Sequence, residues 1–543
     1  MNPLASTKCA GRLLMALAAI TSIVLMASCG SSSPITTINP IGFSNSSLNG
    51  TYVFSSQGTD NDGAPLNIAG TLVANGKGGI GSGGMMDVID PRFTSIPAQA
   101  AQAITGGSYA VGPDGRGQAS LTTTAYGTFV LDFVLTSSSG GLVTEFDGNG
   151  TGSGTLDLQT AVTSLSQLAG PYAFSLAGSD SNGNPLATAG AFTLNPNSNV
   201  LAPGVEDFND GGIPYTNETL AAPAVTLGSG TVPGTITLTT ASFALTYDFY
   251  PIDATHWKLI ETDYKDFLAG DVFTQTGASS IPQGTMVFTM AGGTNASGPI
   301  ANGGLMTSDG TGNFSGGLED INDAGTIPAA QAQFRGALDA GASGPVGGRV
   351  FVNLTGFVPA TQWVIYPSSG GLLMLEMDSV NVTAGVAYAQ TATSFIVPAS
   401  YGLNLTGANG GGEVDDIAQF NATTAVSPAT NMTGVLDENV MGSRAYDEPL
   451  NSATYTPDSP ATGRGSIIAT IPNTYIGGMT LEYYAVNGST ALFIDVDPSS
   501  SGYPQVAVGT FEAQSSVQPV GGARSHVAIV HPIVRPRAAL RRK

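Results

Sequence analysis

Apolar and polar residues alternate along most of this chain in short runs, and the runs end at Gly, Asn, Asp or Pro. Period-two alternation is the signature of a half-buried strand. The clearest run is Phe129-Val-Leu-Asp-Phe-Val-Leu135, where Phe129, Leu131, Phe133 and Leu135 share one face and Asp132 marks the other as facing water. Between Leu48 and Gln159 the pattern predicts eight strands: 52–57, 66–74, 80–89, 108–111, 118–123, 129–136, 142–146 and 152–158. Hairpin chemistry joins them, as at Asn61-Asp-Gly63, Asn75-Gly76, Pro113-Asp-Gly115 and Asp147-Gly148. One longer connection, Pro91 to Gly106, contains Ala98-Gln-Ala-Ala-Gln-Ala103 and reads as a helical turn.

The chain writes this unit four times. Leu168-Ala-Gly-Pro-Tyr-Ala-Phe174 echoes Leu48-Asn-Gly-Thr-Tyr-Val-Phe54, and weaker copies open near Pro282 and Val397. The copies end alike at Gln159, Gln275, Gln390 and Gln514, which lie 116, 115 and 124 residues apart. Such a period suits a domain that closes its own core, whereas shorter solenoid repeats need neighbours. The reading is all-β: four tandem antiparallel modules at 48–159, 168–275, 282–390 and 397–514, with the second strand of module 4 largely lost around Gly410-Gly-Gly412. A barrel removes the two bare edges that an open eight-stranded meander leaves, and a two-sheet sandwich is the alternative. In strand count and hairpin order the unit resembles the up-and-down barrels of the calycin (lipocalin-like) group. No Cys…Trp…Cys spacing supports an immunoglobulin sandwich.

The ends differ from the modules. Lys8 and Arg12 precede an apolar run, Leu13 to Leu25, which is short for a membrane span. It closes in Leu25-Met-Ala-Ser-Cys29, which resembles the lipobox of bacterial lipoproteins. That resemblance implies a signal peptide at 1–28, an acylated Cys29 anchoring the chain in the membrane, and, with Gly30 following, an outer-membrane address. Residues 29–47 read as a polar tether, and 516–543 as a basic tail that is disordered or rests on the acidic body or on anionic lipid.

Charge and composition then narrow the chemistry. The chain has 73 Gly and 32 Pro in 543 residues, too many for a helical protein. With Lys8, Arg12 and the six cations of the tail set aside, nine Lys/Arg face all 39 Asp/Glu. Such a body repels phosphate backbones, so nucleic acid is not an expected partner. Cys9 and Cys29 are the only cysteines, which leaves the modules without disulfides, thiol nucleophiles or Cys-ligated zinc.

Two acidic signatures recur. One follows the third strand and supplies Asp87, Asp90, Asp207, Asp210, Asp320 and Asp323, with Asp437 as a partial fourth copy. The other ends the seventh strand: Glu145/Asp147, Glu261/Asp263, Glu376/Asp378 and Asp495/Asp497. Oxygen-rich loops suit calcium, and carboxylates two apart on a strand share a face, roughly 7 Å apart, where they suit a hard cation or a carbohydrate. Asp and Asn beside Gly are also ordinary turn residues, the plainer reading. Paired carboxylates suit a glycoside hydrolase too, yet their recurrence in every module argues against one elaborated active site. The lone His256-Trp257 pair reads as a surface or partly buried feature, and Tyr52, Phe54, Tyr172, Phe174, Phe288, Tyr401 and Trp363 read as core.

These residues lead to a non-enzymatic, lipid-anchored envelope protein whose modules form a semi-rigid spacer or binding array. Its expected partners are a glycan or another envelope protein, with no cofactor unless calcium. Tandem weak sites gain avidity through linkage. The alternative is a carrier holding a small apolar molecule inside a barrel.

Overall fold

The computed structural model describes residues 42–515, apart from 92–100, 196–199, 222–224, 278–279, 295–297, 345–347, 357–360, 410–411, 425–430 and 498–504. Cys29, the signal segment, most of the tether, the basic tail and part of the Ala98–Ala103 stretch therefore lie outside the described residues.

Every sheet is antiparallel, and each is built from one module alone. In module 1 the first strand, Asn49–Asp60, pairs on one side with the second and on the other with the eighth, Gly150–Leu158. Tyr52 stands opposite Leu158 and Asp60 opposite Gly150, which closes an eight-stranded barrel. Module 3 closes in the same way, through Met286 opposite Ala389 and Thr294 opposite Asn381. Alternation explains the closure: inward residues such as Phe54, Phe129, Leu131 and Phe133 fill one apolar core. The interior leaves no room for extra atoms where strands cross. A Cβ on Gly154 would sit 1.8 Å from the Ser55 carbonyl oxygen.

Modules 2 and 4 are nearly closed. Their fourth strand is broken, its first part pairing with the third strand and its second part with the fifth. In module 2 the parts are Ile213–Leu220 and Val225–Thr226; in module 4 they are Ser443–Pro449 and Asn451–Pro457, with only Leu450 between. Aromatic rings cover the break in module 2, where Phe208 lies 4.4 Å from both Tyr215 and Phe243. In module 4 the turn between the fifth and sixth strands is tied to the third strand, as the Tyr475 and Ile476 N–H groups donate to the Glu438 carboxylate.

The structure corrects four local expectations. The fourth strand of module 1 runs Gln102–Val111, so it begins inside the stretch read as a helical turn. Module 4 keeps a full second strand, Gly412–Ala422. Its alternation was hidden because its outer face is polar: Asp415 there accepts hydrogen bonds of 2.8 Å from Thr151 and Ser153 of module 1. Asp132 does not meet water; it is 5% exposed and takes a 2.8 Å hydrogen bond from Gln118. His256 is fully inside, bonded at 2.7 Å to Asp271, which Lys258 also contacts at 2.7 Å. Trp257 and Trp363 sit in the cores of modules 2 and 3, as do the recurrent first-strand aromatics in their own modules.

The modules are not strung out. Separate apolar clusters join module 1 to 2 (Val53, Ala69 and Ile89 with Tyr250, Ile260 and Phe267), 2 to 3 (Ala189, Val205 and Phe273 with Phe351, Val364 and Leu375), and 3 to 4 (Val287 and Leu305 with Tyr484 and Leu492). A fourth cluster packs Val134 and Leu142 of module 1 on Ile417 of module 4. The chain thus closes on itself, and residues 41–543 behave as one compact unit. Each large apolar side chain covered at a joint contributes about 1.5–3 kcal/mol, so the joints stabilise the modules they link.

Candidate functional site: acidic positions at the joints

Sheet register places Asp87, Asp207, Asp320 and Asp437 on the outer face of each barrel, pointing at the next module. Asp207 of module 2 is fully buried and meets Arg349 of module 3 in a two-pronged ion pair, Nε to Oδ2 at 2.5 Å and Nη2 to Oδ1 at 2.6 Å. The Tyr366 hydroxyl donates to the same carboxylate. Asp320 of module 3 repeats this with Arg464 of module 4, at 2.7 and 2.9 Å, and with Tyr484 at 2.6 Å. Asp437 of module 4 faces Arg116 of module 1 at 3.5 Å, and Arg116 also reaches Asp447 at 2.7 Å. Planar guanidinium groups match carboxylates in this way because two parallel N–H donors fit two oxygens.

An asparagine two residues further along completes the joint. The Asn209 side chain amide donates to the carbonyls of Glu376, Asp378 and Asn381. Asn322 donates to those of Asp495 and Gln505, and Asn439 to those of Glu145 and Gly150. Three of the four recurrent terminal glutamines have the same purpose; the Gln275 side-chain nitrogen has no partner among the described residues. Gln159 donates to Pro251 of module 2, Gln390 to Thr462 and Ala485 of module 4, and Gln514 to Asp114 and Leu135 of module 1. The feature that set the repeat length is therefore a clamp onto the following module, and its last copy closes the ring.

The joint between modules 1 and 2 departs from this pattern. Register puts Arg116, Arg349 and Arg464 at the start of the fifth strand, but module 2 has Pro233 there. Ile89 takes the place of the asparagine. Asp87, with no cation beside it among the described residues, accepts a 2.5 Å hydrogen bond from Tyr250 and one from the Ala101 N–H. Burial, then the nearby Asp248, push the Asp87 carboxyl up to about 8, so it is largely protonated at neutral pH. Gln57 and Asn67 substitute for the missing contacts by donating to Ala177, Ala269 and Phe267 of module 2.

The seventh-strand pairs are placed otherwise. Glu145, Glu376 and Asp495 are buried at the strand end, and burial followed by the neighbouring acid raises each well above the carboxylate range. Glu261 is pushed up to about 9, by burial first and then by Asp263, while accepting hydrogen bonds from the Lys265, Asp266 and Leu268 N–H groups. Asp147, Asp263, Asp378 and Asp497 occupy the adjoining turn; Asp147 accepts from Asn149, and Asp378 from Thr361 and Val380. These carboxylates cap their own turns, and the backbone beside three of them receives the neighbour's asparagine. Asp90 is buried, Asp210 is raised by burial and then by Asp180, and the Asp323 N–H donates to Thr326. Among the described residues no group of three or more His, Cys, Asp or Glu is arranged to hold a metal ion.

One interior position is chemically distinct. In module 2 Leu186, Phe208, Leu238, Phe243, Leu245 and Leu268 surround Thr188, Glu206 and Tyr247 beside the broken fourth strand, leaving room for about one water molecule. Thr188 donates to Glu206 at 2.6 Å, while the buried Tyr247 hydroxyl has no hydrogen-bond partner among the described residues. Burial raises Glu206 to about 7.

Sequence reasoning located the acids and the glutamines but missed the arginines, tyrosines and asparagines that meet them. A signal was present: Gly115-Arg116, Gly348-Arg349 and Gly463-Arg464 repeat one dipeptide in three modules of a body that has few cations.

No protein-family model matches the chain, and no curated protein matches it. Among solved structures, a double mutant of Transferrin Binding Protein B from Haemophilus parasuis Hp5 aligns at 10% identity over 90% of this chain and 99% of that one, with a TM-score of 0.21. Kievitone hydratase from Nectria haematococca aligns at 10% identity over 65% and 91%, with a TM-score of 0.18. CghA aligns at 9% identity over 64% and 89%, with a TM-score of 0.17. At such scores the likenesses carry no argument about this chain.

Proposed function

We propose that this is an exported envelope protein, anchored through an acylated Cys29 in the outer membrane, whose four barrels form a rigid non-enzymatic platform that binds a glycan or another envelope protein. The observation that carries the reading is how the recurrent acids are used. Asp207, Asp320 and Asp437 are engaged by arginines of the next module, and Glu145, Glu376 and Asp495 are buried at strand ends. Carboxylates so engaged hold modules together and offer little to a substrate. Filled interiors support the same reading, because Phe, Leu, Tyr and Trp side chains occupy the centres of all four barrels. Ligand contact then falls to the outer surface of the ring.

The test is a glycan and envelope-protein binding screen on the whole body, since excised modules would bare the apolar joint faces. Saturable binding by the intact ring supports the platform. Turnover of a glycoside that is abolished by Glu145→Gln or Glu261→Gln would overturn it.

A carrier reading has one observation in its favour, the unpartnered Tyr247 hydroxyl beside Glu206 in module 2. Displacement of an apolar fluorescent probe by small alcohols or phenols, lost in Tyr247→Phe, would support carriage.

A further inference from the structure

Three of the four joints are tied by a peptide segment as well as by contact; the joint of module 4 on module 1 is held by contact alone. Its apolar cluster, Val134, Leu142 and Ile417, is the smallest of the four among the described residues. Hydrogen bonds carry the rest. Asn404 donates to the Val143 carbonyl at 2.9 Å and Arg444 to that of Phe146 at 3.1 Å, beside the Asn439 and Gln514 clamps. Two acids are buried on this face of module 4, Glu413 at 4% and Asp415 at 0% exposure. Register aligns them with Pro65 and Asn67 in module 1, Pro185 and Ala187 in module 2, and Pro299 and Ala301 in module 3. An ionisable group at these positions therefore belongs to the closing module alone.

We propose that this joint is a pH-operated clasp: the ring stays shut while Glu413 and Asp415 hold their protons, and it opens there first once both have ionised. The hydrogen bonding asks for a proton at Asp415. The Thr151 hydroxyl lies 2.8 Å from one Asp415 oxygen and 3.1 Å from the Asn439 carbonyl; the Ser153 hydroxyl lies 2.8 Å from the other and 3.3 Å from the Leu405 carbonyl. Each hydroxyl has one proton to give, so two protons serve four acceptors. A protonated Asp415 donates to one hydroxyl, which donates in turn to its carbonyl. Strand alternation sets Glu413 on the same face, so two charges there would repel each other out of water. The surroundings offer little relief. Arg116 is engaged with Asp114, Asp437 and Asp447, and Arg444 with the Phe146 carbonyl. Glu145 of module 1 and Asp416 of module 4 lie close enough to Asp415 for its charge to raise both, and Asp132 faces Asp437. Burial raises Asp415 to about 7, although hydrogen bonds from Ser153, Thr151 and Thr406 lower it, and burial followed by Asp415 raises Glu413 well above the carboxylate range. Both groups therefore stabilise the closed joint fully below the ordinary carboxylate range and lose that contribution as pH climbs through neutrality and beyond. Asp87 titrates at the joint of modules 1 and 2 as well, but there the peptide link and the apolar cluster around Tyr250, Ile260 and Phe267 keep the modules together.

The test uses residues 41–543, a compact unit with no cysteine of its own, so spin labels go only where cysteines are introduced. One pair, Gly148→Cys with Ser443→Cys, spans the clasp, where Gly442 lies against the Gly148 backbone. A control pair, Ile213→Cys with Val380→Cys, puts exposed positions of modules 2 and 3 on either side of their joint. Distances are read by pulsed electron paramagnetic resonance at about pH 6 and about pH 9. The clasp pair is expected to lengthen by about 10 Å or more, the depth of one packed layer, and to shorten again on reacidification, while the control pair holds. Glu413→Gln with Asp415→Asn, which keeps the uncharged shapes, should leave the clasp pair short at both pH values. An unchanged clasp distance, equal lengthening of both pairs, or opening that persists in the substituted protein overturns the proposal.

Discussion

The joint between modules 2 and 3 offers the sharpest perturbation. Arg349 and Asp207 are 1% and 0% exposed at the side chain and pair through two hydrogen bonds, with Tyr366 donating to the same carboxylate. Arg349→Met leaves that carboxylate buried without its cation, and breaking a buried pair on one side costs about 3–5 kcal/mol. Asp207→Leu strands the guanidinium at a similar cost. The double variant removes both charges and, packed by apolar neighbours such as Phe351 and Val364, should recover most of the loss. The assay is calorimetric unfolding of the whole body. If about 470 residues melt as one unit, an unfolding entropy of about 1 kcal/mol/K turns the single-variant loss into a melting shift of about 3–5 °C. If modules 2 and 3, about 220 residues, instead melt together as a separate unit, their transition moves down by about 6–10 °C. Either pattern, with recovery in the double variant, fits a joint that carries load. Losses below about 1 kcal/mol in both single variants, or purely additive effects, would refute the reasoning.

Other perturbations follow from the same geometry. Asp87, held protonated with a value raised to about 8, stabilises the fold fully below the ordinary carboxylate range and loses that contribution as pH rises through about 8. Glu261, raised to about 9, acts in the same direction, so the melting temperature should climb as pH falls from alkaline toward mildly acidic, and Asp87→Asn should flatten part of the climb. Millimolar calcium should leave the melting curve unmoved, since Asp207 and Asp320 are committed to arginines; a saturable rise would restore the calcium reading. Gly154→Ala, whose new Cβ would collide with the Ser55 carbonyl, should cost about 1–3 kcal/mol or more by overpacking, readable as lost folded yield.

Much of the fold was legible because alternation and turn chemistry act locally. Phe129 to Leu135 reads as a strand from its own residues, and the echo of Leu48–Phe54 at Leu168–Phe174 sets the module. What a strand's outer face meets is not local. Asp132 looked solvated because an acid in an apolar run ordinarily faces water, but module 4 lies against that side of the strand. The second strand of module 4 seemed lost for the same reason: Asp415 is buried by Thr151 and Ser153, residues more than 260 positions away. The acids at Asp207 and Asp320 were found by recurrence, yet their role needed Arg349 and Arg464, which belong to the following copy. Gln514 shows the gap most plainly. Its spacing marks the end of a repeat, and nothing nearby in sequence says that it reaches back to Asp114.

Ring closure is tested most directly by small-angle X-ray scattering from residues 41–515. Four modules closed through the joint of module 4 on module 1 predict a radius of gyration of about 23 Å. A value near 35 Å, roughly that of four such barrels in line, would mean that the chain's last module does not return to its first.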